Sequence, residues 1–302
     1  MEDQARALLP AMQEARDQFM ELVDDVRPEL HRYCARMTGS VFDGEDVVQE
    51  TLAKAYYALG QMVQPPSLKP WLFRIAHNTA MDFLKRYERA HVEPVAEVPE
   101  RAEPDEAGVD PELVEAALII FTELPPLQRS AAILKDVLGH TIEETAETMG
   151  TTAGAVKAAL SRARANIART PRARLADSAR PVAGETLVAL RRYVDLFNDR
   201  NWSELRALLA AESRLEVVSR VQHARAVDAG YYDRYAAYTK TQELRAEAGF
   251  VDGVPVIAMF DPPLSEKPAY FVLLEVSAGR ISFIRDFRFV SFIAENARFS
   301  PL

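Results

Sequence analysis

Cysteine is nearly absent: Cys34 is the only one in 302 residues. That excludes an internal disulfide, and with it the small secreted scaffolds that depend on one. No run of about 18 apolar residues occurs, so no membrane-spanning helix is expected. The opening segment, MEDQARALLPAMQEARDQF, places acids in every turn. It lacks a basic stretch followed by an apolar core, so a secretory leader is not expected either. A glycine-rich phosphate loop, a metal-ligating cluster and a paired-cysteine motif are all missing, which leaves no cofactor and no metal to expect. Cys34 lies in a helical pattern and reads as a small buried hydrophobe. Together these absences point to the cytoplasm.

What is there is mostly ordinary globular material, 48% hydrophobic and 27% charged. Its length suits two or three domains. The formal net charge of −9 argues against nucleic acid as a partner, but the charge is unevenly placed. From Glu88 to Glu115 there are ten acids and two bases, Arg89 and Arg101. From Thr151 to Arg174 there are six bases and no acid: Lys157, Arg162, Arg164, Arg169, Arg172 and Arg174. A local basic surface governs phosphate contact more than the global sum does.

The residues from about Glu14 to Arg89 show helical spacing. One helix follows Pro28, the next is expected to begin at Asp43-Gly44-Glu45, and a last one near Pro70-Trp71. Prolines and acids from about Arg89 to Asp110 predict a flexible linker. Helices resume over 111–170, and 171–183 form a second linker. From Gly184 onward an amphipathic helix (Glu185 to Asn198) and a shorter one (Trp202 to Leu209) precede strand patterns. The strands are expected at Leu215 to Val221, Pro255 to Phe260, Ala269 to Val276 and Ile281 to Phe292. Helices followed by strands indicate an α+β domain with a curved sheet.

The clearest local signal runs from Leu124 to Ile167. Thr141 and Glu144 have the spacing of a capping box. Gly150 supplies a turn, and Thr151 or Thr152 caps a second helix. Ala153, Gly154 and Ala155 are small enough for that helix to approach base edges. Lys157, Ser161, Arg162 and Arg164 are expected to face outward. A helix, a tight turn and a basic-faced helix match a helix-turn-helix. A solvated helical hairpin is the plainer alternative.

Two further groups share helix faces. Asp46, Gln49 and Glu50 are spaced i, i+3, i+4 and present an acidic and amide face. Within PWLFRIAHNTAMDFLKRYER, Trp71, Phe73 and Phe83 offer ring surface. Arg74, His77, Asn78, Lys85 and Arg86 offer charge and hydrogen bonds, a combination able to hold unpaired bases. Trp71 and Phe73 also suit a core, and for Trp71 the core is the stronger reading.

Phe19 to Leu59 with its EDVVQET, Pro70 to Arg89, and Leu124 to Ile167 together resemble, in order, the sigma factors of the extracytoplasmic-function (group 4) class. The resemblance covers about Phe19 to Ala168 and implies core RNA polymerase and promoter DNA as partners. It assigns 10–90 to sigma region 2, 91–110 to an acidic linker and 111–170 to sigma region 4. It implies that Asp46, Gln49 and Glu50 dock on the polymerase. Arg74, Asn78, Lys85 and Arg86 would then serve the minus-ten element. Thr152, Lys157, Ser161, Arg162 and Arg164 would serve the minus-thirty-five element. The chain as a whole is expected to be no enzyme.

Residues 184–302 resemble the SnoaL-like branch of the nuclear transport factor 2-like fold, through YVDLFNDRNWSELRALL, YFVLLEV and RISFIRDFRFVSFI. The resemblance implies helices packed in a sheet that forms a cone, and a regulatory contact of this domain with the sigma core. His223, Asp228, Tyr231 and Asp286 are the candidates for pocket chemistry, with His223, Tyr231 and Asp286 the preferred set. An enzyme or ligand-binding domain fused to a DNA-binding regulator is the alternative reading.

Overall fold

The computed structural model describes residues 2–64, 66–91, 118–169, 184–219, 221–226 and 230–302. The acidic segment 92–110 and the second linker, 171–183, lie outside the described residues. The chain forms two compact units, Met1–Asp177 and Ser178–Leu302.

The first unit is helical. It opens with α1 (Glu2–Val23), α2 (Arg27–Thr38), α3 (Val41–Leu59) and α4 (Leu68–His91). Pro28 sits in the first turn of α2, where its missing N–H costs nothing. The start of α3 differs from expectation. The Ser40 hydroxyl accepts from the Asp43 N–H at 3.3 Å, so the helix begins before Asp43. Gly44 is therefore no turn residue. A Cβ there would lie 2.5 Å from Ala35 Cα, because α2 and α3 cross with their backbones touching. Arg27 and Glu45 form a buried ion pair across the same crossing. Helix α4 begins at Leu68, two residues before Pro70, which falls in its first turn.

The second half of this unit holds α5 (Leu118–Thr122), α6 (Pro126–Ala132), a π-helical turn (Ile133–Val137), α7 (Ile142–Met149) and α8 (Ala153–Arg169). Its core is continuous with that of the first four helices. Leu30, Tyr33, Leu72 and Phe73 pack in one cluster with Ile120, Phe121, Leu124, Ile133 and Leu134.

The second unit starts with α9 (Gly184–Asn198) and α10 (Trp202–Ala207). The strands are β1 (Leu209–Val217), β2 (Val221–Arg225), β3 (Arg245–Val251), β4 (Val254–Phe260), β5 (Tyr270–Ser277), β6 (Arg280–Asp286) and β7 (Phe299–Pro301). Helix α11 (Tyr231–Tyr238) precedes β3, and α12 (Phe292–Glu295) precedes β7. The seven strands form one sheet in the order β2-β1-β6-β5-β4-β3-β7. The β1–β6 pair is parallel and the others are antiparallel. Helix α9 supplies Leu190, Tyr193 and Phe197 to the apolar cluster on the sheet.

Two expectations are corrected here. Ile281 to Phe292 is not one strand: Asp286 Oδ1 accepts the Arg288 N–H at 2.9 Å, and this turn ends β6. Strand β3, RAEAGFV, was not anticipated. It lacks a β-branched run, and it is formed by pairing on both sides, with β4 and β7.

Candidate functional site

On α3, Asp46 is exposed and Gln49 and Glu50 are partly exposed, while Val47, Val48 and Leu52 fill the core. The polar face is wired into its surroundings. Gln49 donates to Glu45 Oε1 at 3.4 Å. Glu50 pairs with Lys54 at 2.8 Å and with Arg86 of α4 at 3.0 Å. The Lys54 hydrogen bond, and then the Arg86 one, hold the Glu50 carboxyl below its usual range.

On α4, Arg74, Asn78, Lys85 and Arg86 are all exposed. Positions 74, 78 and 85 recur at helical spacing, so the first three share a face. Phe73 and His77 lie on the adjoining face, turned to the core. Phe73 is fully buried, and its ring meets His140 edge-on with centroids 5.0 Å apart. His77 is also buried, which corrects its expected place on the outward face. Desolvation holds its imidazole down to about 4, so the ring is neutral at physiological pH. Trp71 is half-buried and packs at the edge of the same core.

The helix-turn-helix is built by local chemistry. Thr141 Oγ1 accepts from the Glu144 N–H at 3.1 Å, and the Glu144 carboxylate accepts from the Thr141 N–H at 2.8 Å. This reciprocal capping box starts α7. Gly150 turns the chain at φ 62°. Of the two candidate caps for α8 it is Thr152 whose hydroxyl accepts from Ala155 N–H, at 3.2 Å. Val156, Ala159 and Leu160 bury against Ala131 and Ala146. Thr152, Lys157 and Arg162 are exposed along α8.

Two residues expected to face outward do not. Arg164 is half-buried and makes a bidentate pair with Asp136 of the π-helical turn, at 2.7 and 3.2 Å. That carboxylate raises the guanidinium above its usual range. Ser161 Oγ is buried and has no hydrogen-bond partner among the described residues. No charge pattern along α8 distinguishes these two from Lys157 and Arg162. Asp136, the partner that decides, is 28 residues away.

In the second unit, Tyr231 and Asp286 come together: the phenol donates to Asp286 Oδ2 at 2.8 Å. Two further partners were not read from the sequence. Tyr235 donates to the same oxygen at 2.9 Å, and Arg288 Nε does so at 2.9 Å. Tyr270 stands 3.2 Å from the Tyr235 hydroxyl. Asp286 is fully buried, and the Arg288 guanidinium lies over the Tyr235 ring, 4.2 Å from its centroid. Burial raises the phenols of Tyr231 and Tyr235 well above their usual range. A carboxylate occupied by two phenols and a guanidinium is a structural anchor more than a free base. His223 lies on β2. Asp228 lies outside the described residues. Among the described residues no cluster of His, Cys, Asp and Glu has the arrangement of a metal site. No described helix is long and apolar enough to cross a membrane.

Comparison with known proteins agrees with this division. Residues 22–90 match the family model Sigma-70 region 2, and residues 120–167 match Sigma-70, region 4. The ECF RNA polymerase sigma factor SigG of Mycobacterium tuberculosis is 30% identical over 305 residues, covering 90% of this chain and 81% of the relative. The crystal structure of the Mycobacterium tuberculosis extracytoplasmic function sigma factor SigJ aligns with 90% of this chain and 98% of its own, at 19% identity and a TM-score of 0.36. A putative ketosteroid isomerase from Kribbella flavida aligns with 34% of this chain and 76% of its own, at 22% identity and a TM-score of 0.25. With both sigma regions present in order, and a relative matched across most of both chains, this protein belongs to the ECF RNA polymerase sigma factors, which direct promoter-specific transcription initiation through RNA polymerase.

Proposed function

We propose that the exposed faces described above divide the work of this sigma factor between them. Asp46, Gln49 and Glu50 form the surface that docks on core polymerase. Arg74, Asn78, Lys85 and Arg86 serve the minus-ten element. Thr152, Lys157 and Arg162 meet the minus-thirty-five element, with Ser161 and Arg164 supporting α8 from behind. The observation that carries this reading is the split exposure of α4: Arg74, Asn78 and Lys85 are exposed on one face, and Phe73 and His77 are buried on the adjoining one.

We infer that the second unit, residues 184–302, modulates this activity without catalysis and in the cytoplasm, by an intramolecular contact with the sigma core. Saturation of Asp286 by Tyr231, Tyr235 and Arg288 supports a non-catalytic role. Fusion to the same chain keeps the domain at an effective concentration of about the mM range, so a weak contact suffices. The test is truncation after Ala183 followed by transcription with core polymerase in vitro. Higher activity of the truncated chain supports inhibition by the domain. Lost activity with polymerase binding intact makes the domain an activator. Unchanged activity removes the regulatory reading. Failure of the full chain to co-purify with core polymerase removes the docking assignment.

A further inference from the structure

Strand β3 lies next to the margin of the sheet, with β4 along one side and the short β7 along part of the other. Its hairpin to β4 pairs Val251 with Val254 and Gly249 with Val256. The alternate residues Ala246, Ala248 and Phe250 therefore turn their N–H and C=O groups outward. Such a row is a template for another strand. In this chain two side chains and the C-terminus occupy it. The Asn198 amide, at the end of α9, acts as a strand residue would. Its Oδ1 accepts from the Ala246 N–H at 2.9 Å, and its Nδ2 donates to the Ala246 C=O at 3.0 Å. Arg200 donates to the Leu244 C=O at 2.7 Å. Its backbone stands at φ 58°, a region that favours glycine, yet the side chain that glycine lacks is what reaches the edge. The Leu302 N–H donates to the Ala248 C=O at 3.0 Å, and Ser300 faces Phe250. Gly249 completes the fit. A Cβ there would collide with the Phe299 ring, which also meets the Phe260 ring with centroids 6.1 Å apart.

We propose that the outer edge of β3 is a self-association surface that the chain itself holds shut, with Asn198, Arg200 and the strap of residues 299–302. The occupant it fits is the same strand of a second copy. Antiparallel pairing with a two-fold axis at Ala248 sets each Ala246 opposite the other copy's Phe250. Every outward group then meets an outward group, and nothing within β3 has to change. Such a pairing uses one patch twice and closes on itself. Backbone groups left bare by loss of the seal are satisfied again by the second copy. The seal has two parts. Asn198 and Arg200 close the first half of β3 and are carried on the end of α9. Residues 299–302 close the second half through a short pairing and one ring. Shut, the edge keeps the factor a monomer. The surface lies within the second unit, so it does not rest on the assignment of any residue to polymerase or promoter.

The experiment measures mass by light scattering on the full-length chain, without polymerase or DNA. The unmodified chain should be a monomer. Asn198→Ala with Ser300→Pro bares Ala246 and removes the strap's N–H opposite Phe250, while the Phe299 ring stays. This double variant should be mainly dimer at about 100 µM, with a dissociation constant of about 10 µM. Hydrogen exchange should find the Ala246, Ala248 and Phe250 amides protected in that dimer and open after dilution to monomer. Each single change bares half of the edge and should give the same dimer about tenfold more weakly. Circular dichroism checks the fold, and should the double variant unfold, the single ones decide. A dimeric parent overturns the proposal. So do folded variants that stay monomeric, and so does a dimer whose β3 amides exchange freely.

Discussion

Arg86 Nη2 of α4 lies 3.0 Å from Glu50 Oε2 of α3, so a cation assigned to promoter DNA is tied to a carboxylate assigned to the polymerase. The pair is largely exposed, and such pairs contribute only about 0–1 kcal/mol. The pair joins the two proposed surfaces, so under that proposal a basic partner on Glu50 competes with Arg86 for the carboxylate.

The docking face is tested by changing Asp46 and Glu50 together to Lys. Both side chains point away from the core, so the helical fold should survive, as circular dichroism would show. Co-purification with core polymerase should be lost. A folded double variant that still binds polymerase would remove the assigned role.

Arg162 and Arg164 should behave differently despite their spacing. Arg162 is exposed, and Arg162→Ala should weaken promoter binding and lower the salt slope by about one counterion. Arg164→Ala instead strands the partly buried Asp136. It should cost the fold about 1–3 kcal/mol and move the salt slope little. Binding titrations at several salt concentrations, with urea unfolding of each variant, separate the two. Equal salt slopes for both variants would contradict the assignment.

The Asp286 anchor makes a stability prediction for the second unit. Asp286→Ala leaves the Arg288 guanidinium without its carboxylate, at a cost of about 3–5 kcal/mol. Tyr231→Phe removes one charge-assisted hydrogen bond, worth about 2 kcal/mol. Calorimetric unfolding should show both losses in that unit's transition. A marginal effect of Asp286→Ala would mean that the carboxylate serves something other than packing.

Acid should destabilise the first unit through two histidines. Burial depresses His77 and His31 from 6.5 to about 4 each, and Arg27 and Arg36 add to the effect at His31. Between these values the unfolded chain binds protons that the fold excludes. Stability is therefore full above pH 6.5 and declines as pH falls toward about 4, by on the order of 3 kcal/mol per histidine. His77→Gln should lose less stability than the parent between pH 7 and 5 in urea titrations. Identical losses would show that His77 contributes nothing to the slope.

How much of this was legible in the sequence depended on the range of the interaction. The helix-turn-helix is specified by near neighbours, Thr141 with Glu144 and Thr152 with Ala155, and its residues announce it. Ser40 is also a local cap, but the Asp-Gly-Glu beside it imitates a turn, and the glycine answers to Ala35 across the helix crossing. His77 sits in a helix rich in exposed cations and looks like one more of them. Its partners Tyr33, 44 positions earlier, and Ser130, 53 positions on, show that it faces inward. Tyr231 and Asp286 were singled out as ionisable residues on a pocket-forming fold. Tyr235, one helical turn from Tyr231, and Arg288, two residues past Asp286, are close in the chain. What is not local is the pairing of α11 with the end of β6, 51 to 55 positions apart, that turns them on one carboxylate.

The sheet order carries a consequence for synthesis on the ribosome. Strand β6 ends at Asp286 yet lies between β1 and β5, so the sheet has a gap until Asp286 has been made. The first unit ends at Asp177, about 110 residues earlier. At about 5–20 residues per second, the nascent sigma regions have on the order of 5–20 s in which to fold while their companion domain still lacks the strand that joins β1 to β5. For that interval the newborn protein is governed by its own internal contacts alone.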